Sequence, residues 1–130
     1  MNATSIDIKD IIEAESSLGL TFGTNLFVGK EPTSPANCVT IFDIPGMPPQ
    51  LTLDDFAYYF PSVNIRVRNV DYETGWDLIN KIKVALHGLH GEEWNETLYT
   101  LIACSGEPAH LDWDEGGRAR FSANFNIQRR

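Results

Sequence analysis

The segment RARFSANFNIQ, residues 118–128, constrains this chain more than any other. Ala119, Phe121, Ala123, Phe125 and Ile127 alternate strictly with Arg118, Arg120, Ser122, Asn124, Asn126 and Gln128. A period of two sends the apolar side chains to one face and the polar ones to the other, so the segment is a β-strand. A slip of one residue would turn the whole apolar set to water, which pins its register. A strand of this kind belongs in an antiparallel sheet covered on one side only. DEGGR before it predicts a hairpin turn, with the Gly-Gly pair supplying positive φ, and HLDWD at 110–114 predicts the short partner strand.

The same alternation marks SVNIRVRNV at 62–70, where Val63, Ile65 and Val67 oppose Asn64, Arg66 and Arg68. Asp71 then occupies an N-cap position, and Gly75, Leu78, Ile79, Ile82, Ala85, Leu86 and Leu89 follow the i, i+3, i+4, i+7 spacing of a core-facing helix. On its opposite side Asp77 and Lys81 form an i, i+4 pair, worth about 0.2–0.5 kcal/mol. The opening TSIDIKDIIEAESSLG predicts another helix. Thr4 and Asp7 form a weakened capping box there, Ile8, Ile11, Ile12 and Leu18 share one face, and Gly19 ends it. NLFVG at 25–29, CVTIFDI at 38–44 and LYTLIAC at 98–104 predict strands, the second covered on both sides. KEPTSPAN predicts a loop, IPGMPPQ a rigid connection and LHGLHGEEWNET a turn. The order α-β-β-β-α-β-β-β predicts an α+β fold, a mixed, largely antiparallel β-sheet with a long helix packed on one face. With 130 residues and neither repeat nor long linker, residues 1–130 are expected to be a single domain.

Charge narrows the functional classes. Ten Lys+Arg against eighteen Asp+Glu give a net charge of −8, which repels phosphate backbones and argues against a basic nucleic-acid reader. No apolar run approaches the roughly 20 residues of a membrane span, and MNATSIDIKD lacks the regions of a secretory signal, so a soluble chain of intracellular origin is expected. Cys38 and Cys104 are too few for a disulfide scaffold and have no metal or redox spacing. His87, His90 and His110 lack the further ligands that zinc requires, and the first two suit the negative end of a helix. Asp112, Asp114 and Gly117 imitate a calcium loop, but the twelfth position, a carboxylate in such loops, is Ala123. Nucleophile and phosphate-loop motifs are missing, and the pairs Asp54–Asp55 and Glu92–Glu93 suit solvated surface. No catalytic residue, metal or cofactor is expected.

The placement of charge is more informative. Arg66, Arg68, Arg118 and Arg120 lie on the outward faces of two strands, whereas acids gather in the first helix and at 54–55, 92–96 and 112–115. A solvated sheet face accounts for this. So does an interface between copies, since arginine makes forked contacts with carboxylates such as Asp112, Asp114 and Glu115. The 44–61 segment combines a stiff backbone with aromatic surface in Pro45, Met47, Pro48, Phe56, Tyr58 and Tyr59. That composition suits partner contact, and equally a cover for one end of the sheet.

Three pieces together resemble the tail terminator (minor capsid) proteins of long-tailed, siphovirus-type bacteriophages. They are PSVNIRVR running into DYETGWDLINKIKVALHGL, the GEPAHLDWDEGGR turn, and the closing RFSANFNI strand. With CVTIFDIPGMPPQL before them they span residues 38 to 128. The resemblance implies a structural, non-enzymatic virion protein. It implies a hexameric ring that caps the head-proximal end of the tail tube, stops polymerisation and joins the head connector. The implied partners are further copies of the chain, the tail tube protein and the head connector or completion protein, and DNA passes through the lumen without specific binding. The protein would be made in the host bacterial cytoplasm and would bind no membrane. A ring requires a heterologous interface that closes, for which Arg66, Arg68, Arg118 and Arg120 against Asp112, Asp114 and Glu115 are the candidates. A head–tail adaptor or neck protein, and a small α+β enzyme or ligand-binding domain, remain alternatives.

Overall fold

A computed structural model describes residues 1–50 and 58–130. Helix α1 spans Thr4–Ala14, and strands β1, β2 and β3 span Leu26–Val28, Cys38–Met47 and Phe60–Asn69. Helix α2 spans Tyr72–Leu86, followed by β4 Glu92–Trp94, β5 Thr97–Cys104, β6 Ala109–Trp113 and β7 Ala119–Arg129. The fold is α+β, with one seven-stranded sheet in the order β1-β2-β3-β7-β5-β4 and β6 paired to β7. Only the β1–β2 pair is parallel among the described residues.

The alternating strand is the centre of this sheet. On one edge β7 pairs with β3 from Ala119 to Asn126. On the other, β6 takes Ala119–Ser122 and β5 takes Phe125–Arg129, so β5 and β6 form one edge interrupted at 105–108. The apolar faces of β2, β3 and β7 carry Val39, Ile41, Val63, Ile65, Val67, Phe121, Phe125 and Ile127, all buried. Ile8, Ile11 and Ile12 of α1 and Ile79, Ile82 and Leu86 of α2 close over that layer. Full burial of each such side chain stabilises by about 1.5–3 kcal/mol. Helix and sheet approach closely at Gly75, where a Cβ would lie 2.7 Å from Phe121 Cε2. Asp71 caps α2 as expected, accepting from Thr74 N–H at 3.0 Å.

Four local expectations are corrected. The first helix stops at Ala14; Ser16–Leu18 form a separate 3-10 turn, and Gly19 at φ 66 ends that turn. Paired serines compete for backbone hydrogen bonds and are poor helix interior, which favours the break. The Thr4–Asp7 capping box does not form, because Ala3 is the N-cap and Asp7 points into the core. Ile44–Met47 continues β2, with a register shift between Ile44 and Met47 that accommodates Pro45 within an edge region. Glu92–Trp94, expected within a turn, pairs with β5 through a two-residue hairpin whose Asn95 and Glu96 both have positive φ, 52 and 65.

Asp7 anchors a buried polar cluster that joins both ends of the chain. Its Oδ1 accepts from Asn95 Nδ2 at 2.7 Å and Asn2 Nδ2 at 3.2 Å, and its Oδ2 accepts from Tyr99 OH. Arg129 Nη1 lies 3.8 Å from Oδ2 and donates to Tyr99 OH at 3.2 Å and Asn2 O at 3.0 Å. Burial, then the adjacent Asp7, push the Tyr99 hydroxyl well above its ordinary pKa, so it remains a donor. Removing one partner of a buried pair leaves the other charge uncompensated. Asp7→Ala is therefore expected to destabilise the fold by about 3–5 kcal/mol, read as a lower urea midpoint with an unchanged slope.

Candidate interaction surfaces

The sheet face away from the helices is polar, and it is organised rather than simply solvated. Ser62 Oγ donates to Asn126 Oδ1 at 2.9 Å, and Asn64 Nδ2 donates to Ser122 Oγ at 2.6 Å and Asn124 Oδ1 at 2.8 Å. At one end of this ladder Arg68 is only 3% exposed. Its guanidinium donates to Glu31 Oε1 at 3.1 Å, Ala36 O at 3.1 Å and Pro35 O at 2.7 Å. One side chain thus holds down the loop between β1 and β2, and it stands opposite buried Cys38 on the neighbouring strand. Burial pushes the Cys38 thiol up, against the opposing pull of Arg68.

The other arginines follow the same pattern. Arg120 Nη1 donates to Asp112 Oδ2 at 3.2 Å, while its Nε lies 3.0 Å from Glu31 Oε1 as an off-axis ion pair. Arg118 Nε donates to Asp114 Oδ2 at 2.6 Å, and its Nη1 donates to Thr33 O at 3.1 Å. Asp114 also closes the β6–β7 turn, its Oδ1 accepting from Gly116 N–H at 3.0 Å and Arg118 N–H at 2.8 Å, with Gly117 at φ 75. Three of the four arginines singled out by sequence are therefore paired inside their own chain. Glu31, which holds two of them, lay in a loop and carried no sequence signal. Glu115 is exposed, and Arg66 differs from its neighbours. Its Cζ lies 5.0 Å from the Phe42 ring centroid, and among the described residues no acid lies within 4.0 Å of its guanidinium.

At the far end of β3, Pro45, Met47 and Pro48 are exposed, Met47 by 75%. Tyr59 exchanges both backbone hydrogen bonds with Arg129, at 2.8 and 3.0 Å, and Arg130 Cζ lies 5.4 Å from the Tyr58 ring centroid. Phe56 lies outside the described residues. Along α2 runs a feature that helical periodicity had left unassigned. Tyr72, Trp76, Asn80 and Val84 recur every four residues along α2; Tyr72 and Trp76 set their rings 4.9 and 6.0 Å from that of buried Phe121 while staying partly exposed, Val84 faces outward, and Trp113 of β6 lies 6.0 Å from Tyr72. A groove of about 760 Å³ runs beside this stripe, lined by Trp76, Asn80, Val84 and Glu15. His87, at the end of α2, accepts from Cys104 N–H at 2.9 Å through Nδ1.

The sequence matches the family described as bacteriophage tail terminator protein over residues 11–130. The chain belongs to that family. A solved chain from the virion of a native gene transfer agent particle shares the fold at 13% identity. Its TM-score is 0.67, over 98% of this chain and 94% of that one. No curated protein matches. This tail terminator family member is accordingly a structural protein of phage-tail type, and the polar face and the two strand ends are its candidate contact surfaces.

In this terminator the β1–β2 loop depends on Arg68. Arg68→Met in a Cys104→Ser background should raise the rate of Cys38 alkylation by iodoacetamide at least severalfold while the helical signal persists. Burial alone would raise the pKa of Asp114, but hydrogen bonds from Arg118 and Gly116 outweigh it and hold the carboxyl below its ordinary value. A depressed carboxylate contributes stability above its unfolded pKa that is lost as pH falls through the folded one. The Asp114 turn should therefore loosen below the usual carboxylate range, near pH 4. Amide exchange at Gly116–Arg118 reads this, and Asp114→Asn should remove the pH dependence.

Proposed function

We propose that this chain, as a single tail-terminator-like domain over residues 1–130, forms a six-membered ring on the head-proximal end of a phage tail tube. It stops tube polymerisation there and offers the joining surface to the head connector. The family match over 11–130 carries this reading. The chemistry of the surface is compatible with it. A closed ring needs two different patches on each copy, and Arg66 is a guanidinium on the polar face with no acid partner among the described residues. Within the proposed interface Arg66 takes a carboxylate of the neighbouring copy, for which the exposed Glu115 is the candidate. Arg68, Arg118, Arg120, Asp112 and Asp114 shape the face that presents it. Pro45, Met47, Pro48, Phe56, Tyr58 and Tyr59 form the contact segment.

The net charge of −8 supports a lumen through which DNA passes without adhering, because like charge repels the phosphates. The proposed partners are the tail tube protein and the head connector, and the proposed site is the head-proximal tail of a virion assembled in the host bacterial cytoplasm. No chemical step is assigned to the chain.

Purified chain added in excess to polymerising tube protein should arrest growth at a fixed length. Continued growth with the chain bound at the tip would favour an adaptor instead. Arg66→Glu should weaken assembly measured by light scattering and reduce its salt sensitivity. An unchanged mass and salt response would remove Arg66 from the interface.

A further inference from the structure

Residues 30–37, between β1 and β2, are fastened to the polar face by hydrogen bonds and ion pairs, with no side chain buried and none in the core. Arg68 donates to Thr33 O, Pro35 O and Ala36 O, and Arg118 donates to Thr33 O at 3.1 Å. Near one end of the segment Glu31 pairs with Arg68 and Arg120. At the other end Asn37 Oδ1 accepts from Val70 N–H at 2.9 Å. Arg68 and Arg120 stand directly opposite each other on β3 and β7, a like-charge pair that is unfavourable on its own. Among the described residues, Glu31 is the one acid within 4.0 Å of both.

The arginines beneath keep other acids if this segment leaves. Arg120 has Asp112 at 3.2 Å, Arg118 has Asp114 at 2.6 Å, and Arg68 has Asp114 at 3.9 Å. No guanidinium is stranded, so the large penalty for an uncompensated buried charge does not arise. The freed carbonyls of Thr33, Pro35 and Ala36 pass to water, which replaces most of what their hydrogen bonds contributed. Pro32 and Pro35 stiffen the segment, and Gly29 at φ 81 adjoins it on the β1 side. Outside it β1 and β2 stay paired, through Gly29 N–H to Ile41 O and Val39 N–H to Asn25 O, each 2.9 Å. A segment without buried apolar contacts, bounded by such pairing, opens locally rather than with the core.

We propose that residues 30–37 form a strap that lifts as a unit from the polar face, with the Glu31 carboxylate as its latch. Lifting it opens the forked donors of Arg68 and Arg120 to carboxylates from outside the chain, so the face has a closed and an open form. Amide exchange followed by NMR over a urea series reads this, on the wild-type chain and on Glu31→Gln. Val70 N–H, whose partner is the Asn37 side chain, should exchange through an opening nearly independent of urea, about tenfold ahead of Val67 in mid-strand. Glu31→Gln should speed Val70 exchange severalfold while Val67 and the urea midpoint change little. Latch and reporter lie at opposite ends of the segment, so only a strap that moves as a unit links them. A second readout leaves the latch intact. In a Cys104→Ser chain, alkylation of buried Cys38 by iodoacetamide should proceed well below the unfolding transition, with a shallow dependence on urea. Val70 exchange that follows global unfolding, or that Glu31→Gln leaves unchanged, would overturn the strap. So would Cys38 alkylation that rises only with the unfolding transition.

Discussion

Burial of one face of β7 is the constraint on which the rest of this structure depends. Phe121 and Phe125 fill the space beneath α2, and β7 is bordered by β3 on one edge and by β5 and β6 on the other. A shift of β7 by one residue would expose the aromatic layer and break pairing along both edges at once. Strands far apart in sequence are therefore held in a single register. Because both helices occupy the apolar side, the opposite face of the sheet is left polar, and the strand ends are left uncovered by α1 and α2. Those are the surfaces on which an assembly protein of this family has room to make contacts.

Two buried charge clusters add a second set of ties to those of the core. Asp7, Tyr99 and Arg129 tie the first helix to the last strand, and Arg68 with Glu31 ties a strandless loop to the sheet. Buried ion pairs bring little net stability after desolvation, but each strongly penalises arrangements in which one partner is left alone. Their effect here is positional: the first sets α1 against β5 and β7, and the second holds down a loop with few apolar contacts of its own. They also place Arg68, Arg118, Arg120 and Arg129 against acids of the same chain, so much of the basic charge of an acidic protein is neutralised internally.

The division between core and contact surface is also visible along α2. Gly75, Ile79, Ile82 and Leu86 meet the sheet, Tyr72 and Trp76 lean on Phe121 with part of each ring exposed, and Val84 faces away from the core. A helix apolar on two sides within one chain has more apolar surface than its own fold covers. The family assignment is consistent with that surplus, since a structural tail protein acts through contact with its neighbours.

Much of this was legible in the sequence because it depends on periodicity and backbone chemistry. The alternation at 118–128 and 62–70, the Asp71 cap and the core stripe of α2 as far as Leu86 are local patterns and formed as they dictate, whereas Leu89 lies past the end of the helix. The order of the elements and the α+β class followed, and the motifs that resemble tail terminators pointed to the family that the match over residues 11–130 shows. What only the tertiary structure decided concerns partners brought together from afar. Asp7 had the spacing of a cap and became a buried anchor, because Tyr99 and Asn95 arrive some ninety positions later. Arg68 and Arg120 sat on an outward face and gained Glu31 from a loop with no pattern of its own. Ile44–Met47 looked like a connection until pairing with β3 made it strand. A side chain's spacing along the chain specifies the face it occupies, whereas its charge partner depends on distances in space that no local period encodes.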